Sequence, residues 1–115
     1  MIVREEGDLS ARLRLMPGHH HANMHDSVHG GAILALIDTA MFAAVAVVLS
    51  PDMVHSVTLD LATQFIGAGQ LDRPLDVVTQ VLKETGRLIF VRGLVEQEDH
   101  LVASFTGTLR KPGRK

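Results

Sequence analysis

Apolar and polar residues alternate over 9–15, with Leu9, Ala11, Leu13 and Leu15 set against Ser10, Arg12 and Arg14. That is the period of a half-buried strand. A polar loop follows over 16–27, carrying Pro17, Gly18, His19, His20, His21 and His25. From Gly30 and Gly31 the pattern changes. Sixteen of the eighteen residues over 32–49 are apolar, and Asp38 and Thr39 are the two interruptions. This run predicts a long helix that ends at Pro51 and Asp52. A helix apolar almost all round is surrounded by other protein.

Four further strands are predicted, over 54–66, 75–84, 88–96 and 101–109. In the first of them, alternation predicts Val57, Leu59, Leu61 and Phe65 on one face and Ser56, Thr58, Asp60 and Gln64 on the other. The links are a loop over 67–74, a tight turn at Thr85 and Gly86, and a short polar connection over 97–100. A strand, one long helix and four consecutive strands with short links imply an α+β fold. One helix lies against a curled, largely antiparallel sheet of about five strands. The 115 residues make a single domain, 1–115. One such sheet cannot cover a helix on every side, so the surplus apolar surface predicts a second subunit.

Composition narrows the function. The chain has no cysteine, which excludes disulfides and thiolate catalysis and suits a reducing cytoplasm. A net charge of −2 supplies no basic field for nucleic acid. With four Phe and no Trp or Tyr, base stacking is not expected. The N-terminal stretch 1–10 is acidic and polar, unlike a signal peptide. The apolar run is marginal in length for a membrane span. A carboxylate in its middle would be costly in lipid, so no membrane partner is expected.

The chemistry concentrates between Asn23 and Ala40. Gly30 and Gly31 read either as a flexible start to the helix or as backbone N–H donors left open for a carbonyl oxygen. Asp38 is sharper, because an ionised carboxylate among apolar residues needs a partner or a task. It is either a structural acid bonded to a hydroxyl such as that of Thr39, or a nucleophile or general base. Eight residues separate Gly30 from Asp38, about 12 Å along a helix axis. One carbonyl cannot touch both in the same chain. If both serve one reaction, Asp38 comes from a neighbouring subunit, and a two-fold dimer with antiparallel central helices provides that twice over.

Asn23, then His29-Gly30-Gly31, then Asp38 at the start of a long apolar helix resembles the hotdog-fold thioesterases of the phenylacetate-degradation type, relatives of 4-hydroxybenzoyl-CoA thioesterases. The element order extends the likeness over nearly the whole chain. The resemblance implies a hotdog fold and hydrolysis of an acyl-CoA, with coenzyme A part of the substrate and no separate cofactor. It implies that the Gly30 N–H polarises the thioester carbonyl, and that Asn23 and His29 orient the loop, the thioester or the leaving thiol. Asp38 of the other subunit would attack the carbonyl or activate water, and Ser56 would help hold that water or nucleophile. It further implies a homodimer or a dimer of dimers. The chain departs from the family in having Asp26 and Ser27 ahead of the motif, where a glycine is common, and in its histidine-rich loop. Those differences bear on the acyl group.

Other readings compete. A non-catalytic acyl-CoA binder or another enzyme could use the same fold, although mere binding needs no buried carboxylate. His21, His25 and His29 are spaced four apart and suit zinc or nickel if helical, as in a metal-dependent hydrolase. Pro17, Gly18 and the missing apolar period oppose a helix there, so no metal is expected. A serine hydrolase lacks its G-x-S-x-G elbow. Met24, Met41 and Phe42 are candidates to line an acyl pocket. Arg110, Lys111, Arg114 and Lys115 read as solvated charges, or they, or Arg73, Arg87 and Arg92, meet the phosphates of coenzyme A.

Overall fold

The computed structural model describes residues 2–16, 27–28, 30–70, 72–98 and 100–113. Its elements are β1 (Ile2–Gly7), β2 (Ser10–Leu15), β3 (Ser27–Val28), α1 (Gly30–Val48), a 3-10 helix (Pro51–His55), β4 (Val57–Phe65), β5 (Gly69–Gln70), β6 (Leu75–Glu84), β7 (Leu88–Gln97) and β8 (His100–Arg110). Six strands form one sheet in the order β1-β2-β6-β7-β8-β4, and β3 with β5 forms a separate two-stranded ladder. Every pairing is antiparallel. The long helix lies against the concave face of the curled sheet, which is the hotdog arrangement.

The five predicted strands are all present as β2, β4, β6, β7 and β8. The additional β1 comes from the stretch read as a polar terminus. It is an edge strand, and Arg4, Glu5 and Glu6 hide its period. Its link to β2 is a tight turn in which Gly7, Asp8 and Leu9 all adopt positive φ.

One stripe of α1 anchors the core. Ile33, Leu36, Ile37, Ala40, Met41, Ala44 and Val45 are buried, at the i, i+4, i+8 spacing of a single helix face. They meet Leu13, Leu75, Val77, Val81, Ile89, Val91, Val95 and Leu109 from the sheet. Each of the fully enclosed Ile37, Met41 and Val45 contributes about 2 kcal/mol by leaving water. Gly107 lets the helix come this close, because a Cβ there would stand 2.6 Å from the Met41 sulfur. Met41 is therefore a core residue and does not line an acyl pocket, and Phe42 packs partly buried against the same core.

Part of the remaining helix surface is left uncovered by the described residues. Leu34, Ala35, Thr39 and Val47 are exposed. By length and composition α1 could cross a membrane, yet its buried stripe is occupied by the sheet. The edge strand β4 is bare in the same way, with Val57, Leu59 and Phe65 each about half exposed and Ile66 just beyond it. An open apolar edge strand invites pairing with another chain.

The predicted facing of β4 requires correction. A bulge between Thr58 and Asp60 breaks the register with β8. One extra residue flips the side chains that follow. Thr58 before the bulge and Leu61 after it are part-buried, whereas Val57 and Leu59 face out.

Among the described residues, the sheet's outer face carries one buried charge. Asp76 on β6 is 5 % exposed. It accepts hydrogen bonds from Arg12 Nη1 at 2.6 Å and from Arg14 Nε at 2.7 Å and Nη2 at 2.9 Å. Arg12 also reaches Glu96 at 2.9 Å. The hydrogen bond from Arg14 is the main cause holding the Asp76 carboxyl below its ordinary value, against the opposing effect of burial. A depressed carboxyl contributes stability above its unfolded pKa, near 3.8, and loses it as pH falls through the lower folded value. Asp76→Asn is accordingly expected to cost about 1–3 kcal/mol at pH 7 and to flatten the acid limb of stability below pH ~4. Urea melts at pH 7 and pH 3 check this, and an acid limb identical to that of the wild type would contradict it.

Candidate active site

Gly30 and Gly31 occupy the first turn of α1, where backbone N–H groups have no acceptor within the helix. Gly30 lies beneath the ring of Phe65 from the end of β4. A Cβ at position 30 would meet the ring at 3.4–3.9 Å. Asp38 stands two turns further along the same helix, about 12 Å from Gly30 along the axis. It is part-buried on the border between the enclosed stripe of Ile37 and Met41 and the uncovered surface of Leu34, Ala35 and Thr39.

Among the described residues the partner of Asp38 is Thr58, which alternation along β4 does not predict. The Thr58 hydroxyl donates to Asp38 Oδ1 at 2.8 Å. Thr39, the hydroxyl expected to serve, donates instead to the Ala35 carbonyl one turn back, at 3.1 Å. Thr58 reaches the helix because the bulge follows it immediately. Strict alternation placed it on the face away from the apolar residues and so concealed it. Ser56 lies just ahead of β4, 7 % exposed, and its hydroxyl is buried without a hydrogen-bond partner among the described residues. Gly30, Asp38, Ser56 and Thr58 thus belong to α1 and the start of β4. Asn23, His29, Met24 and the metal-spaced His21 and His25 lie outside the described residues.

The arrangement offers a carboxylate with one oxygen held by a hydroxyl, and a helix N-terminus that begins with two glycines. Each is usable chemistry, and within one chain the two are too far apart for a single carbonyl. A cavity of about 840 Å³ lies elsewhere, on the outer face of the sheet between Val78, Gln80, Arg92, Leu94, Ser104 and Thr106. It includes none of Gly30, Asp38, Ser56 or Thr58. Several candidate phosphate contacts already have partners. Lys111 pairs with Glu84 at 2.6 Å and Arg73 with Glu98 at 3.3 Å. Arg92 donates to Gln80 at 3.0 Å. Arg110 closes β8 and is not part of a loose tail.

The profile of the thioesterase superfamily matches residues 25–104. No curated protein matches the sequence significantly. Among solved structures, a conserved protein from Pseudomonas aeruginosa is 33% identical, with 96% of this chain and 86% of that one covered at a TM-score of 0.84. A mutant of the phenylacetic acid degradation protein PaaI from Thermus thermophilus is 22% identical, with 96% and 92% covered and a TM-score of 0.80. A hypothetical thioesterase protein from Streptococcus pneumoniae, solved with coenzyme A, is 18% identical, with 99% and 90% covered and a TM-score of 0.83.

Proposed function

Because the chain belongs to the thioesterase superfamily, we propose that it hydrolyses an acyl-CoA thioester, with Asp38 as the catalytic carboxylate and sites shared between two subunits. The observation that carries this reading is the position of Asp38. It is a carboxylate held by Thr58 at the border of an uncovered apolar helix face. A carboxylate at that border keeps part of its hydration and can be reached from outside the chain, as a residue serving a neighbouring subunit must be.

In the proposed reaction the thioester carbonyl accepts a hydrogen bond from the Gly30 N–H. The partner subunit's Asp38 either attacks the carbonyl carbon or takes a proton from the water that does. The tetrahedral oxyanion collapses, the carbon–sulfur bond breaks, and the thiolate of coenzyme A leaves and is protonated. A thiolate leaves readily, so one carboxylate and one oxyanion donor suffice. Asn23 and His29 orient the thioester or the thiol. The buried Ser56 hydroxyl, which has no protein partner among the described residues, is suited to holding the attacking water. Coenzyme A enters as substrate, a reading supported by its presence in the Streptococcus pneumoniae protein of the same fold. The smallest active unit is a dimer joined along α1 and the open edge of β4, which a second pairing would double to a tetramer. The absence of cysteine fits work in a reducing cytoplasm.

The test is a thiol-release assay across short-chain, long-chain and aryl CoA thioesters. Saturable release of coenzyme A from at least one class is expected. Tight binding of these thioesters with no release from any would make the protein an acyl-CoA binder instead.

A further inference from the structure

Gln97 closes β7 and is buried at 3 % exposure. Its polarity predicts a place in the hairpin link over 97–100, yet it continues the inward positions of Val91 and Val95 at a period of two. Its side-chain amide works as a piece of β-ladder. Oε1 accepts from the Gln70 N–H at 2.7 Å, and Nε2 donates to the Gln70 carbonyl at 2.8 Å and to the Arg73 carbonyl at 3.2 Å.

Gln70 belongs to β5, and β5 pairs only with β3 among the described residues, Ser27 with Gln70 and Val28 with Gly69. Val28 is two residues ahead of Gly30 in the chain. A two-residue ladder is marginal by itself. A helix beginning with two glycines also has a first turn prone to fraying. The β7–β8 hairpin braces the ladder from outside. Gln97 grips Gln70 and Arg73, and the His100 ring nitrogen lies 3.0 Å from the Ala68 carbonyl on the other flank. The Ile66 and Gly67 N–H groups both donate to the Val102 carbonyl.

We infer that Gln97 is a positioning residue for the carbonyl site: through β5 and β3 it fixes the chain ahead of Gly30 and so the direction of the N–H groups in the first turn of α1. The inference rests on the proposed role of Gly30. It makes the contribution of Gln97 a matter of turnover more than of substrate affinity, because an oxyanion donor acts chiefly in the transition state.

The test is Gln97→Met, nearly the same size but without the three hydrogen bonds, assayed beside Gly30→Val on whichever CoA thioester the wild type hydrolyses. Expected is a fall in kcat of about tenfold, on the scale set by sub-ångström misplacement of a donor, with KM within about twofold. Amide hydrogen exchange should quicken at Ser27, Val28, Gly69 and Gln70, while the amides of Val91, Val95 and Phe105 keep wild-type protection. Should Gln97→Met not fold, Gln97→Glu keeps the acceptor for Gln70, loses the two donated bonds and is read the same way. Wild-type kcat in the presence of quickened exchange, or unchanged exchange at the ladder, overturns the inference alone. Full activity of Gly30→Val removes the role of Gly30 and the inference with it.

Discussion

Asp38→Asn should leave a folded oligomer that binds acyl-CoA and hydrolyses it about 10²–10⁴ times more slowly, the usual scale of general acid–base catalysis. Asparagine keeps the size of the side chain and an oxygen to accept the Thr58 hydrogen bond, seen at 2.8 Å in the native chain. It removes the negative charge and the capacity to take a proton or attack a carbonyl. A purely structural acid on this helix would tolerate the change, or gain stability from it, since a desolvated charge is costly. The two roles therefore separate when kcat, acyl-CoA affinity and melting temperature are measured together. Wild-type turnover on a true substrate would defeat the assignment of Asp38.

Gly30→Val should lower turnover by about 10²-fold, the scale of one lost oxyanion donor. Valine is no worse than glycine within a helix, so stability is expected to hold. A single Cβ at this position stands at ordinary contact distance from the Phe65 ring, 3.4 Å at its nearest atom. Gly30→Ala should therefore be mild. The two γ-methyl groups of valine have to crowd that ring or shield the N–H. Steady-state kinetics of the alanine and valine variants check this order. Equal, wild-type rates for both would place the carbonyl elsewhere.

Much of this was legible in the chain. The helix is fixed by Gly30 at one end and Pro51 beyond the other, and strand β6 falls where its alternation predicts, at Leu75–Glu84. The likeness to hotdog thioesterases rests on residues whose types and spacing survive in a single sequence. What escaped was non-local. The bulge before Asp60 depends on the register against β8, and without it Thr58 faces away from Asp38. The inward turn of Gln97 was signalled by period two, but its polarity argued for a loop until the backbone groups of Gln70 and Arg73 came within reach. Strand β1 is an edge whose run of Arg4, Glu5 and Glu6 breaks the apolar–polar alternation by which a strand is read. Asp38 stood out in the sequence because it interrupts an apolar helix. On the proposed reading the surface it serves belongs to a second copy of the chain, which no pattern within one chain describes.

The shared site is tested most directly by mixing the two impaired proteins. Asp38→Asn and Gly30→Val are combined in equal amounts under conditions that exchange subunits, and thiol release is compared with each alone. In a mixed dimer one site unites the intact Gly30 of one chain with the intact Asp38 of the other. Half the dimers are mixed and each has one working site of two, so about a quarter of wild-type activity should return. Exchange proven by mass spectrometry with no activity regained would contradict a site built across two subunits.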